Sequence, residues 1–162
     1  MQPANHHLAE FNFGTLKYDW DDPRVAEFAD NLDRVNAIAE AADGFVRRMG
    51  DEEMEAGQTA LTGVFNGNPR TASTLSVWET VESLEHFVWN TVHKQFYAKR
   101  RNWFKADGNS NFVMWWVPHG HTPDLQEAMQ RFEHWKDHGN SDHAFDWSHL
   151  PHVKMWQEQR CG

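Results

Sequence analysis

The chain has 162 residues, 40% hydrophobic and 14% aromatic, which suffices for one globular domain with a sizeable core and argues against disorder. Fifteen Lys and Arg against 24 Asp and Glu leave a formal charge of −9, which argues against nucleic acid or an anionic membrane surface as partner. The single cysteine, Cys161, excludes an internal disulfide, and no apolar run approaches the ~20 residues of a membrane span.

Met1 to Glu10 lacks the basic and apolar regions of an export signal, so a cytoplasmic protein is expected. Leu8 to Leu16 reads as a first strand. Ala9, Phe11 and Phe13 lie on one face, and Leu8, Glu10, Asn12 and Gly14 on the other, with Asn12 as the polar group near its middle. Asp22-Pro23 is an acidic cap with proline in the first helical position. Val25, Phe28, Leu32, Val35 and Ala39 follow at helical spacing, which predicts an amphipathic helix from Pro23 to about Ala42, closed by Asp43-Gly44. Phe45 to Met49 is a short second strand. Gly50 to Pro69 opens with Asp51-Glu52-Glu53 and closes with the turn signal Asn66-Gly67-Asn68-Pro69; between them Thr59 to Phe65 fits a strand or a loop equally.

Arg70 to Trp78 is the third strand. A long helix is expected from Thr80, its cap, to about Phe104, kinked near Asn90-Thr91 because both are weak helix formers. Val81, Leu84, Val88, Val92 and Phe96 form an apolar stripe that should face a sheet. His86, Trp89, Asn90, His93, Tyr97, Arg100 and Phe104 form a second, mixed stripe, with Arg101 beside it. Asp107-Gly108-Asn109 breaks the chain before a fourth strand, Asn111 to Val117. Thr122-Pro123-Asp124 then opens a helix that Gly139 closes. Residues 8–140 are thus read as one α+β domain, with 141–162 as a His- and Trp-rich tail packing on it.

The order of elements approximates the split βαβ pattern of the ferredoxin-like fold: an antiparallel sheet with helices on one face. The other face still carries bulky groups, so the expectation is a homodimer in which two sheets close an α/β barrel.

Several segments carry a resemblance. They are Leu8-Ala9-Glu10-Phe11-Asn12, Asp21-Asp22-Pro23-Arg24, Gly44-Phe45-Val46, Leu75-Ser76-Val77-Trp78-Glu79, Phe87-Val88-Trp89, His93, Arg101-Asn102-Trp103-Phe104 and Trp115-Trp116-Val117-Pro118, with Gly120-His121 and Pro123 after it. In this order they resemble a bacterial family of unknown function placed among the antibiotic-biosynthesis-monooxygenase-like dimeric α/β barrels. That superfamily includes cofactor-free quinone-forming monooxygenases, haem-degrading monooxygenases and small-ring isomerases. The haem-degrading members use an Asn on the first strand, with an aromatic and a His on the helix after the third. Asn12, Trp89 or Phe87, and His93 stand in those places, though Trp89 and His93 are only four residues apart, closer than in those relatives.

The expected function is therefore an oxygenase-like enzyme acting on a hydrophobic, aromatic or polycyclic small molecule in an aromatic-lined pocket. His93 is the candidate acid/base; an imidazole there can also hold its helix to neighbouring backbone. Asn12 would orient a carbonyl or bound oxygen. Trp89, Trp103 and Trp116 would form walls, and Tyr97, Arg101 and His121 would contact substrate. The alternatives are a haem-binding or haem-degrading protein with His93 as axial ligand, and a non-catalytic dimer that binds a hydrophobic ligand. His119-Gly120-His121 and the pair His134 and His138 lack the four-ligand spacing of structural zinc, and no metal site is assigned.

Overall fold

Four strands define the architecture of the computed structural model, which describes residues 1–61, 65, 67–106 and 111–150. They are β1 (His6–Thr15), β2 (Phe45–Arg48), β3 (Thr71–Trp78) and β4 (Phe112–Pro118), all antiparallel in the order β2-β3-β1-β4. The segment linking β1 to β2 and the one linking β3 to β4 are helical, as a split βαβ arrangement requires. The chain is α+β, as expected.

The first helical segment is broken. Asp22 accepts the Arg24 amide at 2.9 Å and opens a single turn, Pro23–Val25, followed by α1 (Ala26–Ala29) and α2 (Leu32–Glu40), so the one helix expected over this stretch is three pieces. The long helix after β3 divides where its weak formers stand. α4 (Val81–Asn90) is capped by Thr80, whose hydroxyl accepts the Ser83 amide. It ends at Thr91, and α5 (His93–Trp103) begins two residues on. The expected helix after β4 is α6 (Leu125–His138), with Asp124 rather than Thr122 as its cap.

Asp51–Ala60 is a further helix, α3, in a stretch where none was expected. Its three leading acids suit a helix N-terminus. It buries only Met54, so it shows no apolar stripe. Gly57 lets it approach α6 closely: a Cβ there would stand 2.8 Å from Leu125 Cδ2.

α3 and α6 overturn the placing of helices on one face. Side chains alternate along a strand, and the two sets go to different cores. Ala9, Phe11, Leu75, Val77, Val113, Trp115 and Val117 pack with Met54 of α3 and with Leu125, Ala128, Met129 and Phe132 of α6. Leu8, Trp78 and Met114 pack with Ala39 of α2, with Val81, Leu84, Phe87, Val88 and Trp89 of α4, and with Phe145, Trp147 and Leu150 from the tail. Both faces are covered by the chain itself and the sheet is open, so the uncovered apolar face that argued for a barrel is absent. A third cluster, Leu16, Val25 and Trp103 with Phe28, Phe96 and Phe104, lies beyond the end of β1.

The tail packs as far as it is described: Met114 and Phe145 exchange backbone hydrogen bonds of 2.7 and 2.9 Å. The Asp107-Gly108-Asn109 break, residues 62–64 of the ambiguous segment, and the tail from 151 on, with His152 and Trp156, lie outside the described residues.

Candidate functional site

The face of the sheet beneath α2 and α4 is built in rows set by the strand register. Trp78, Leu8 and Trp116 stand side by side; Ser76, Glu10 and Met114 form the next row; Thr74, Asn12 and Phe112 the row after. The middle row is deep, with Glu10 4% and Ser76 5% exposed, whereas the Asn12 row is half-buried throughout.

Glu10 is thus a carboxyl group in the middle of a core. Ser76 Oγ donates to its Oε2 at 2.7 Å, Asn12 Nδ2 donates to its Oε1, and the indole N–H of Trp78 donates to Ser76 Oγ at 2.9 Å. Burial raises the carboxyl to about 7, and the hydrogen bonds from Asn12 and Ser76 oppose that rise without cancelling it. A group that changes charge near neutrality, held between fixed donors and one row from solvent, is chemically equipped to accept and return a proton. Sequence reading chose Asn12 on this face and passed over Glu10 two residues before it. The available signal was that both share one strand face with Leu8.

His93 lies at the elbow between α4 and α5. Its Nδ1 is 3.3 Å from the Val88 carbonyl, its ring centroid is 5.0 Å from Phe87 and 6.4 Å from Tyr97, and burial lowers its pKa. Phe87 in turn stacks on Trp78 at 5.3 Å, so the elbow touches the Glu10 row through two aromatic rings. Trp89 is 6% exposed and meets Tyr97 edge-on at 5.2 Å.

The remaining expected site residues are scattered. Trp116 does stand on the same face, in the row beside Glu10, with Phe145 over it at 5.4 Å. Trp103 sits in the third cluster, ten residues along α5 from His93 and so about 15 Å away along the axis. Arg101 is exposed on the last turn of α5. His121 is on the other side of the sheet: its Nε2 is 2.6 Å from Glu127, which also accepts the indole N–H of Trp115 at 2.9 Å. The expected aromatic-lined pocket is filled by the aromatics themselves. The groove of about 480 Å³ along α3, lined by Glu52, Glu55, Ala56, Thr59 and Ala60, includes none of the expected residues.

Haem does not fit the residues around His93. The Val88 carbonyl fixes a tautomer suited to axial ligation, but the layer between helices and sheet, where a flat macrocycle would lie, is filled by Trp78, Phe87, Trp89, Phe145 and Trp147. His134 and His138 stack at 4.4 Å, yet among the described residues no group of three or more His, Cys, Asp or Glu is arranged to hold a metal. Among them, too, no helix is long and apolar enough to cross a membrane.

A family profile described as "Domain of unknown function (DUF3291)" matches residues 7–161, and the chain belongs to that family. No curated protein matches the chain. Among solved structures it is similar to a protein of unknown function from Nitrosomonas europaea, at 15% identity and a TM-score of 0.48, over 75% of this chain and 98% of that one.

Proposed function

We propose that this DUF3291 protein is an oxygenase-like enzyme that oxidises a hydroxylated aromatic small molecule, with Glu10 as general base. The observation that carries the reading is the buried Glu10 carboxyl, raised to about 7 on the central strand and held by Asn12 and Ser76. Substrate would reach Glu10 from the half-buried Asn12 row by displacing the stacked Phe112 and Trp147 rings, with Trp116 and Trp78 beyond it.

Glu10 takes the phenolic proton. The electron-rich anion passes one electron to O₂, and the radical pair joins to form a carbon–oxygen bond. The O–O bond then breaks, the proton returns, and water leaves. A phenol plus O₂ gives a quinone plus H₂O, with no further reductant and no metal. A face that excludes water favours the step, because the anion then meets O₂ without being quenched by solvent. His93, expected as the acid/base, is separated from Glu10 by Phe87 and Trp78 and its Nδ1 is turned to backbone, so it takes no part in this proton transfer.

The finer kinship with the antibiotic-biosynthesis-monooxygenase-like superfamily belongs to this proposal. The strand order and the Asn12 position support it, while the barrel does not enter, because α3 and α6 occupy the face it would need. The test is O₂ uptake with 1-naphthol. Wild type should consume O₂ and form 1,4-naphthoquinone at a rate that rises with pH through about 7. Glu10→Gln should lower that rate by about 10²–10⁴-fold. Uptake that is absent in wild type, or intact in the variant, refutes the reading.

A further inference from the structure

The elbow between α4 and α5 contains a polar atom without a partner. Trp89 is 6% exposed and its indole N–H makes no hydrogen bond, although a buried donor left unpaired costs about 1–3 kcal/mol. Tyr97, 40% exposed, stands edge-on to the same indole, their ring centres 5.2 Å apart. The His93 ring also lies against Tyr97, 6.4 Å between ring centres.

The chemistry of His93 is fixed by its neighbour. A carbonyl can only accept, so Nδ1 carries the proton that points at Val88, and burial keeps the ring neutral. Nε2 is then a bare acceptor. The elbow therefore offers one donor, Trp89 Nε1, and one acceptor, His93 Nε2, on two rings that both touch the exposed Tyr97. The surrounding charge is the reverse of the chain's own. In a protein of net charge −9, α5 carries Lys94, Arg100 and Arg101 besides Lys99, which pairs with Glu27, and no carboxylate, with the Arg100 guanidinium 3.9 Å from the Tyr97 ring centre. Such a field attracts an anion.

We propose that this elbow binds a hydroxy-aromatic carboxylate: Trp89 donates to the carboxylate, the ligand hydroxyl donates to His93 Nε2, and Tyr97 swings aside to admit the ring. The inference goes beyond the proposed oxidation: the elbow is a second site, separated from Glu10 by the Phe87 and Trp78 rings. Side-chain rotation at an exposed tyrosine is fast, so admission needs no change of fold.

Calorimetry with 1-hydroxy-2-naphthoate, 2-naphthoate and 1-naphthol tests it. Wild type should bind the hydroxynaphthoate most tightly. Trp89→Phe should weaken both carboxylates about tenfold or more and leave 1-naphthol unchanged, because a hydrogen bond to a charged group is lost. His93→Phe should erase the preference for the hydroxynaphthoate over 2-naphthoate. In wild type the Trp89 indole N–H resonance should move downfield on adding hydroxynaphthoate, a readout that does not depend on any variant folding. Equal carboxylate affinity in Trp89→Phe, no binding by wild type, or an unmoved indole resonance each overturns the inference. Intact binding without oxidation by wild type sinks the oxygenase reading alone, and 1-naphthol oxidation without carboxylate binding sinks this one alone.

Discussion

The two faces of one sheet have been given different tasks. Beneath α3 and α6, the buried strand residues are apolar except for Thr71 at the start of β3, and the indole N–H of Trp115 finds its acceptor at the rim on Glu127. Beneath α2, α4 and the tail, the middle row holds a carboxyl and a hydroxyl, and the next row an amide. Burying polar groups costs free energy even when they are paired, and a carboxyl costs more. The first face contributes stability, while the second gives some of it up to keep a titratable group in place. Strand alternation allows this division, since neighbours in sequence never share a face.

The largest expected effect comes from the apolar face. Phe11→Ala should cost about 3–5 kcal/mol, because Phe11 is fully buried against Phe13 and Phe65 and leaves a cavity that its packed neighbours cannot fill. Urea unfolding measures it. If the faces are independent, the pH dependence of stability should be that of wild type; a changed dependence would show that the faces share one core.

Glu10→Gln probes the other face with an effect nearly as large. The Glu10 carboxyl is raised from 4.5 to about 7, so the folded state holds its proton where the unfolded chain has released it. Stability contributed by that proton is complete below 4.5 and is lost as pH rises through about 7, a change of about 3 kcal/mol. The glutamine variant keeps an acceptor for Asn12 or Ser76 and cannot ionise, so its urea midpoint should be flatter between pH 4.5 and 8 than that of wild type. Curves that fall in parallel would mean Glu10 is not the group responsible.

How far this was legible follows the same division. The strands, the Asp22 and Thr80 caps and the break at Thr91 are written in local signals, and each stands where those signals put it. α3 was missed because it buries a single residue and so lacks the apolar spacing by which an amphipathic helix is recognised. With it went the covering of the second face. Glu10 was passed over because a charged residue on an alternating strand reads as solvent-facing; its burial comes from Ser76, 66 residues away, and from helices farther still. Trp103 and His121 looked like pocket residues through their place among recognisable segments, yet one lies at the far end of α5 and the other across the sheet. Composition indicates many tryptophans but not which way each one points.

The smallest effects give the sharpest comparison, because two matched caps hold the helices over the two faces. Thr80 accepts the Ser83 amide at the start of α4, and Asp124 accepts the Glu127 amide at the start of α6. Either change to alanine should cost about 1 kcal/mol by urea unfolding. Beyond that the variants should part. Thr80→Ala loosens the helix over Glu10, so amide exchange should rise in α4, and water entering above the carboxyl should bring its raised pKa back toward the ordinary range, flattening the pH dependence. Asp124→Ala should raise exchange in α6 and leave the pH dependence as it is. If Asp124→Ala flattens it equally, the titrating group answers to global stability rather than to the helix above it, and the division between the faces fails.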